Sequence, residues 1–350
     1  MRIVDMHCDT ISVLLAGRER GEAGRSLRQN DGHIDLMKLR KSGYLLQNFA
    51  LYVDKTGSGD PWDKVQELYA LYLEELEKNK DIIAPVHRFE DIAENESQGL
   101  LSSLLTVEEG GVCKGEIEKL CKLYEQGVRM MTLTWNYPNE IGFPNLNGSR
   151  GRRLQEMAAD VDGDERERMV KAYLNTPDRE NGLTEKGFEF VSKMEELGMI
   201  VDVSHLSDGG FYDVLSSTTK PFVASHSNAR AICPCARNMT DDMIRRLAER
   251  GGVMGLNFCA DFLTQLPVGV HNPGTVEAIV EHAKHIVNVG GIEVLGLGSD
   301  FDGIATHEEL PDAGKMHLLY EALKAGGFRD SEVDKIFREN VLRVYKDVLR

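Results

Sequence analysis

His7 and Asp9 have the types and the spacing of two metal ligands. They follow a short apolar run, and in an extended segment the side chains at positions i and i+2 point to the same side. One imidazole and one carboxylate on that side form part of a site for Zn²⁺. His33 and Asp35 have the same spacing, but they follow Gly32 and lead into a basic helical stretch. We therefore interpret the second pair as a capping turn and the first as candidate ligands.

Four further apolar runs end in side chains that can bind a metal or carry a proton. These side chains are Glu108 or Glu109, His205, His226 and Asp300. A lone buried histidine is more often a core residue than a ligand, so each is a weak signal by itself. Their occurrence together with His7 and Asp9 is a stronger signal, because a carboxylate between imidazole-bearing groups suits a two-metal site.

The other histidines and the cysteine pair have no such partners. His282 and His285 lie three residues apart on a predicted outer helix, and the rest lie in loops or helices without a partner motif. Cys233 and Cys235 form an isolated C-x-C pair, which is more often structural than metal-binding. We expect these residues to be structural.

Short apolar runs alternate along the chain with segments of helical period, which predicts βαβ units and a parallel sheet. The candidate strands are residues 3–6, 45–53, 101–107, 130–134, 200–203, 222–224, 253–257 and 294–298. The candidate helices are residues 62–79, 116–126, 184–197, 241–250, 276–289 and 331–349. Eight strands favour an α/β fold of the (β/α)₈ TIM-barrel type. No G-x-G-x-x-G follows the first strand, which argues against a dinucleotide-binding, open doubly wound sheet. In such a barrel the chemistry lies at the carboxyl ends of the strands, where the candidate ligands fall.

Two connecting segments are longer than ordinary βα loops. Residues 17–32 are polar and contain glycine, which predicts a loop after the first strand. Residues 136–182 carry their own helical pattern around residues 154–174, which predicts a long loop insertion that can cover the site. Within it, residues 160–165 are predicted to form a solvated acidic turn. We expect residues 1–350 to form one catalytic barrel domain with this insertion.

The composition is that of a globular protein with an acidic surface. The 41 basic and 57 acidic residues give a formal net charge of -16. This charge argues against nucleic acid and anionic membranes as partners, because both require a basic face. No apolar run approaches the roughly 20 residues of a membrane span, and the first residues lack the apolar segment of a signal peptide. With six cysteines in no disulfide pattern, the chain is expected to be cytoplasmic.

The strand-end motifs together resemble the membrane (renal) dipeptidase family of zinc peptidases. They are His7-x-Asp9, Val107-Glu108 before a Gly-Gly, Asp202-Val203-Ser204-His205, Ala224-Ser225-His226-Ser227 and Gly298-Ser299-Asp300-Phe301-Asp302-Gly303. The resemblance covers most of the chain and implies an amidohydrolase-type barrel that hydrolyses small dipeptides with two Zn²⁺ per chain. It also allows a homodimer.

The resemblance also implies a role for each matching residue. His7 and Asp9 would hold the first zinc ion, His205 and His226 the second, and a third-strand glutamate would bridge them. Arg237, in the segment Ala236-Arg237-Asn238, would bind the carboxylate at the C-terminus of the substrate. Asp300 would orient a metal-bridging hydroxide and pass its proton to the departing amine.

Two positions leave alternatives within this resemblance. The bridging carboxylate is Glu108 when counted without a gap from the helix that follows, and Glu109 when placed directly before the glycines; we prefer Glu108. Where the best-known members have a histidine after Leu-Thr, here Leu133-Thr134 is followed by Trp135 and Asn136. That histidine is thought to stabilise the oxyanion, and the Trp135 indole and Asn136 amide can each donate one hydrogen bond to substrate instead.

The same barrel can support other activities. One alternative is hydrolysis of a cyclic amide or a β-lactam. Another is a catalytically weakened member that binds metal without turnover, which the Trp135 substitution favours. The retained Asp300 favours an active enzyme, because metal binding alone does not need it.

Overall fold

The computed structural model describes residues 1–22, 25–158 and 161–350 of the chain. Asp160, at the start of the predicted acidic turn, lies outside the described residues. Asp162, in the same turn, begins a helix by accepting a hydrogen bond from the backbone N–H of Glu165 at 2.8 Å. The rest of this acidic segment therefore forms a helix N-terminus.

Nine parallel strands are present among the described residues. They are β1 (Ile3–Asp5), β2 (Tyr44–Tyr52), β3 (Ile83–Pro85), β4 (Leu101–Glu108), β5 (Val128–Thr132), β6 (Ile200–Asp202), β7 (Val223–Ala224), β8 (Val253–Leu256) and β9 (Leu295–Leu297). Neighbouring strands pair in the order β2-β1-β9-β8-β7-β6-β5-β4, and β2 also pairs with β4. Eight strands thus close into a barrel, which confirms the predicted (β/α)₈ fold and its eight strands.

The ninth strand, β3, was not predicted. Ser102 of β4 pairs with Leu46 of β2 and also with Ala84 of β3. β3 therefore lies on the edge of β4 opposite β2, beside the amino end of β4, while β5 pairs with the part from Leu105 to Glu108. Pro85 ends this strand, and a proline in a short apolar run argues against a strand or restricts it to a sheet edge.

Helices surround the barrel. They are α1 (Thr10–Glu19), α2 (Leu36–Ser42), α3 (Pro61–Lys78), α4 (Phe89–Ser97), α5 (Ile117–Glu125), α6 (Gly148–Ala158), α7 (Gly163–Asn175), α8 (Glu185–Leu197), α9 (Asp208–Ser217), α10 (Asp241–Glu249), α11 (Ala260–Leu263), α12 (Val276–Gly290), α13 (Met316–Ala325), α14 (Asp330–Asp334) and α15 (Asn340–Val348). All six predicted helices are confirmed. In the described part of the chain no helix is both long and apolar enough to cross a membrane.

The predicted loop over residues 17–32 is wrong at its start. Residues 17–19 form the last turn of α1, which begins directly after Asp9. This helix buries Ile11, Leu14 and Leu15 against the core. The apolar residues that identify this helix lie before Gly17. The residues from Gly17 to Glu19 form its last turn, where Arg18 and Glu19 are exposed, and the sequence pattern does not distinguish such a turn from a loop.

The even-numbered residues of β1, β2, β4, β5 and β6 face the inside of the barrel, and in β7 and β8 the odd-numbered Val223 and Val253 do. Val4, Leu46 and Leu104 belong to an apolar cluster with Val344 and Tyr345 of α15. The Tyr345 hydroxyl also donates to Oδ1 of Asn48 at 2.9 Å. The C-terminal helix therefore closes the amino end of the barrel, and the open end lies at the carboxyl ends of the strands.

Residues 136–182 contain α6 and α7. Leu146, Tyr173 and Leu174 from this segment pack on Cys233 and Cys235, which follow β7. The backbone N–H of Ala236 also donates to the carbonyl oxygen of Leu174 at 2.7 Å. The insertion therefore rests on the loop that carries Arg237, at the open end of the barrel.

Candidate active site

Four strand ends bring five of the predicted ligands into one buried cluster. Nε2 of His7 lies 3.3 Å from a carboxylate oxygen of Asp9 and 3.3 Å from Oε2 of Glu108. Oε1 of Glu108 lies 3.0 Å from Nε2 of His205 and 3.5 Å from Nε2 of His226. These five side chains come from the ends of β1, β4, β6 and β7. The cluster thus places one carboxylate between three imidazoles.

Asp300, which follows β9, completes the cluster. Its Oδ1 lies 3.9 Å from Nε2 of His7, and its Oδ2 accepts a hydrogen bond from Nδ2 of Asn257 at 2.8 Å. Burial, together with the negative charges of Asp9 and Glu108, raises the pKa of Asp300 to about 7. Both Asp300 (φ 62°) and His205 (φ 68°) adopt the left-handed backbone conformation. Such strain in non-glycine residues is concentrated at functional sites.

The structure brings Glu108, rather than Glu109, into the cluster. Glu108 is at an even position of β4 and faces the barrel interior. Glu109 has a φ of 95°, and its carboxylate accepts hydrogen bonds from the backbone N–H of Gly111 at 2.8 Å and of Trp135 at 3.0 Å. It also accepts from the amide of Asn139. Glu109 therefore joins the loops after β4 and β5.

The imidazoles of His205 and His226 are held so that Nε2 carries the lone pair. Nδ1 of His205 lies 3.0 Å from Oδ1 of Asn136, which accepts the Nδ1 hydrogen. Nδ1 of His226 lies 2.7 Å from the Ser225 hydroxyl, which itself donates to Oδ2 of Asp202 at 2.6 Å. With the hydrogen on Nδ1, each Nε2 presents its lone pair towards Glu108, as metal-binding histidines do.

Burial keeps both imidazoles neutral. Burial, with the nearby positive charge of Arg237, lowers the pKa of His205 to about 4. Burial and the charge of His7 likewise hold the pKa of His226 well below its usual range. The Nε2 atoms of the two rings lie 3.0 Å apart. Two neutral imidazoles with lone pairs directed to the same point are the state needed to bind a cation.

Three observations indicate that the cluster can hold metal ions. The side-chain nitrogens of His7 and Oδ1 of Asp9 are buried without a hydrogen-bond partner among the described residues. Ligand atoms of two trios, His7–Glu108–His226 and His7–Asp9–Asp300, lie within 4.8 Å of one another. Although burial opposes a charge on His7, the carboxylates of Glu108 and Asp9 raise its pKa well above the usual range, so the cluster favours a cation. Nitrogen and carboxylate ligands of this kind suit Zn²⁺.

Two aspartates with serine partners fix the strand ends that carry the histidines. Asp5 accepts hydrogen bonds from the backbone N–H of Ser299 at 2.9 Å and from its hydroxyl at 2.6 Å. Asp202 accepts in the same way from the backbone N–H of Ser225 at 2.8 Å and from its hydroxyl. Each aspartate therefore joins its strand end to a neighbouring strand at the level of the cluster.

Arg237 lies beside the cluster as an unpaired cation. It is 4% exposed, and Nη2 donates to the carbonyl oxygen of His226 at 3.1 Å. Among the described residues its Nε has no hydrogen-bond partner, and the carboxylates near the guanidinium, Asp300 first, act on it only at a distance, without a side-chain hydrogen bond. A buried guanidinium without an anion is unfavourable, so this site is prepared for an anionic group of a ligand.

Trp135 and Asn136 both lie beside the cluster, with different surroundings. The Trp135 ring centroid is 6.3 Å from that of His205 and 5.0 Å from that of Tyr52. The carbonyl oxygen of the Asn136 side chain is engaged by His205, and Nδ2 makes no hydrogen bond with the described residues. Asn136 was expected as a donor to substrate, and the structure adds a contact that orients a histidine.

Several contacts of the site were not predicted from the sequence, although Asp202 and Ser225 lie within the strand-end motifs. Asn257 holds Asp300, Ser225 and Asp202 hold His226, and Tyr52 ends β2 next to Trp135. Side chains alternate along a strand, and the even-numbered positions of β2 and β6 face the barrel interior. This alternation could have identified Tyr52 and Asp202 as residues that face the site. For Asn257 and Ser225 the contacts depend on the packing of neighbouring strands, which the sequence does not reveal.

The histidines and cysteines interpreted as structural lie outside the cluster. Asp35 caps α2, as expected for the second H-x-D pair, by accepting from the backbone N–H of Lys38 at 2.8 Å. His33 accepts at Nδ1 from the backbone N–H of Asp302 at 2.9 Å. The six cysteines are free thiols.

A family model supports the interpretation of this site. The model described as membrane dipeptidase (peptidase family M19) matches residues 1–151 and 165–350.

Known proteins are similar over most of the chain. An uncharacterized protein in the pqqA 5′ region of Klebsiella pneumoniae is 32% identical over 291 residues, which cover 83% of this chain and 98% of that protein. An uncharacterized dipeptidase of Schizosaccharomyces pombe is 28% identical over 331 residues, which cover 90% of this chain and 72% of that protein. The crystal structure of a metallopeptidase from Rhodobacter sphaeroides, bound to a phosphinate mimic of the dipeptide L-Ala-D-Ala, superposes with a TM-score of 0.82 at 22% identity and covers 99% of both chains. This last similarity shows the shared fold.

Proposed function

Because the chain belongs to the membrane dipeptidase family (peptidase family M19) and is a metal-dependent dipeptidase, we propose that it is a zinc enzyme that hydrolyses small dipeptides with free ends. One observation carries the proposal. Glu108 lies within 3.5 Å of Nε2 of three histidines, beside a buried arginine that has no anion.

The proposed centre holds two zinc ions. His7 and Asp9 would bind one, His205 and His226 the other, and Glu108 would bridge them. When bound, the pair would supply Lewis acidity and a water that ionises to hydroxide near neutral pH. Among the described residues, the unsatisfied buried atoms of His7 and Asp9 support this assignment.

The remaining groups would bind and orient the substrate. Arg237 presents a fork of N–H donors that matches a carboxylate, so it would bind the C-terminus of a dipeptide. Asp300 would accept a proton from the attacking water and return it to the departing amine. Asn257 holds one oxygen of Asp300 and leaves the other directed towards His7. A carboxyl group held beside the attacking water can take up a proton and release it to the leaving group.

Metal content and peptide cleavage test the proposal together. Zinc per chain would be measured by elemental analysis on the purified protein, and cleavage would be followed with a panel of L,L- and L,D-dipeptides. The expected result is two zinc ions per chain and turnover of at least one dipeptide that is lost on chelation and restored by Zn²⁺. Tripeptides with blocked ends serve as control substrates and should be cleaved poorly. Two bound metal ions without turnover of any dipeptide would contradict the proposal.

A further inference from the structure

Tyr52 lies at the open end of the barrel, on the inward face of β2. Asn48 of the same strand faces the interior, where it contacts Tyr345. Because side chains alternate along a strand, Ala50 and Tyr52 face the same way. Tyr52 is also the register partner of Glu108 on β4. Neighbouring residues in paired parallel strands point to the same side, so both side chains enter the site.

The ring of Tyr52 is held by aromatic neighbours. Its centroid lies 5.0 Å from that of Trp135 with an edge-on geometry, and Trp135 in turn lies 5.8 Å from Tyr137. The backbone N–H of Trp135 is fixed by the buried carboxylate of Glu109 at 3.0 Å. Such edge-to-face pairs are favourable and restrict ring orientation. The phenol is therefore positioned by the same loop that lacks the family's histidine.

The Tyr52 hydroxyl is free to bind a ligand. It makes no hydrogen bond with the described residues, and it is absent from the buried atoms that lack a partner, so solvent reaches it. The ordinary pKa of a tyrosine phenol is about 10, so the hydroxyl carries its hydrogen at neutral pH and can act as a donor.

We propose that the Tyr52 hydroxyl donates a hydrogen bond to the carbonyl oxygen of the scissile peptide as this oxygen becomes negatively charged. This inference rests on the proposed dipeptidase function. It assigns to Tyr52 the donor role for which Trp135 and Asn136 were the candidates in the sequence. Trp135 then acts as a positioning residue that packs on the Tyr52 ring, and the Asn136 carbonyl orients His205.

The Tyr52→Phe variant tests the inference, because it removes the hydroxyl and keeps the ring. Loss of one oxyanion donor lowers kcat by about 100-fold or more, whereas KM should change by no more than about twofold because ground-state binding does not use this bond. A phosphinate pseudodipeptide carries a tetrahedral anionic group at the position of the scissile bond. Its Kd, measured by calorimetry on the zinc-loaded protein, should rise by a factor similar to the loss in kcat.

Tyr137→Phe is the matched control. Tyr137 lies in the same aromatic group, but its hydroxyl accepts a hydrogen bond from Arg152 at 2.7 Å. This variant should keep kcat and the phosphinate Kd within about twofold of the unmodified protein, because it removes no donor to the substrate. Zinc content and the thermal unfolding midpoint of both variants show whether the site and the fold are retained.

The outcomes separate this inference from the proposed function. If the unmodified protein cleaves dipeptides and Tyr52→Phe has the same kcat and phosphinate Kd, the inference is overturned and the function stands. If Trp135→Phe shows the loss and Tyr52→Phe does not, the indole is the donor and the inference is also overturned. If the zinc-loaded unmodified protein neither cleaves dipeptides nor binds the phosphinate, the function fails and the inference fails with it.

Discussion

Oδ1 of Asn136 lies 3.0 Å from Nδ1 of His205 and determines which nitrogen of this imidazole faces Glu108. The contact joins the insertion that begins after β5 to the end of β6. His205 has a left-handed backbone conformation with φ 68°, and the hydrogen bond to Asn136 holds the orientation of its ring. Hydrogen bonds of this kind to a metal-binding histidine typically change metal affinity by about 10–100-fold.

Asn136→Leu should weaken binding of one of two zinc ions by about 10–100-fold, because it removes the acceptor of the Nδ1 hydrogen. Asn136→Asp keeps an acceptor of nearly the same size and should keep the affinity. Competition with a chromophoric chelator measures both binding steps. Equal affinities in the leucine variant and the unmodified protein would show that Asn136 does not position His205.

Substitution of the two adjacent glutamates distinguishes their roles. Glu108→Gln should lower the zinc content, since it removes the charge shared by three imidazoles. Glu109→Gln should keep the zinc but lower the free energy of unfolding by about 1–3 kcal/mol, because an amide NH₂ would then face buried N–H donors. Elemental analysis and urea unfolding measure the two effects. Loss of zinc only in the Glu109 variant would assign the bridging role to Glu109.

Arg237→Ala should raise KM for dipeptides by about 10–100-fold, as expected for the loss of a charge-assisted hydrogen bond worth about 1.5–3 kcal/mol. Dipeptide amides lack the C-terminal carboxylate and provide the control substrate. The unmodified protein should bind them weakly, and the substitution should change their KM little. A similar rise in KM for dipeptides and their amides would contradict a carboxylate contact.

His282 should make the protein less stable in mild acid. Its Nδ1 accepts from the backbone N–H of Ala229 at 3.0 Å, and its Nε2 lies 2.9 Å from the carbonyl oxygen of Leu263. These contacts need the neutral ring, and burial lowers the pKa of His282 from 6.5 to about 4. The unfolded chain therefore binds more protons as pH falls from about 6.5 towards 4, so stability falls in this range.

Between pH 7 and pH 5 this histidine should contribute a loss of about 2 kcal/mol in the free energy of unfolding. Urea unfolding at both pH values should show a smaller difference for His282→Gln, which does not titrate. His271→Gln, at an exposed histidine that is 76% accessible, is the control and should keep the pH dependence of the unmodified protein. An unchanged pH dependence in the His282 variant would contradict the prediction.

The barrel and the candidate site residues at its strand ends were predictable, because both depend on local patterns. Alternating strands and helices identify a parallel barrel, and polar residues directly after apolar runs identify the strand ends. His7, Asp9, His205, His226 and Asp300 were found in this way, and the structure brings all of them together. β3 was missed because Pro85 interrupts its short apolar run, and proline argues against a strand.

The sequence by itself determined which ligand types lie at which strand ends, since that information is carried by neighbouring residues. The tertiary structure decided which of these groups face one another. It directs Glu108 inward and turns Glu109 away at a φ of 95°, and it engages the Asn136 carbonyl with His205. It also places Tyr52 beside Glu108, 56 positions apart in the chain but partners in register. Such contacts depend on how distant strands pair, and strand pairing is set by the packing of the whole barrel.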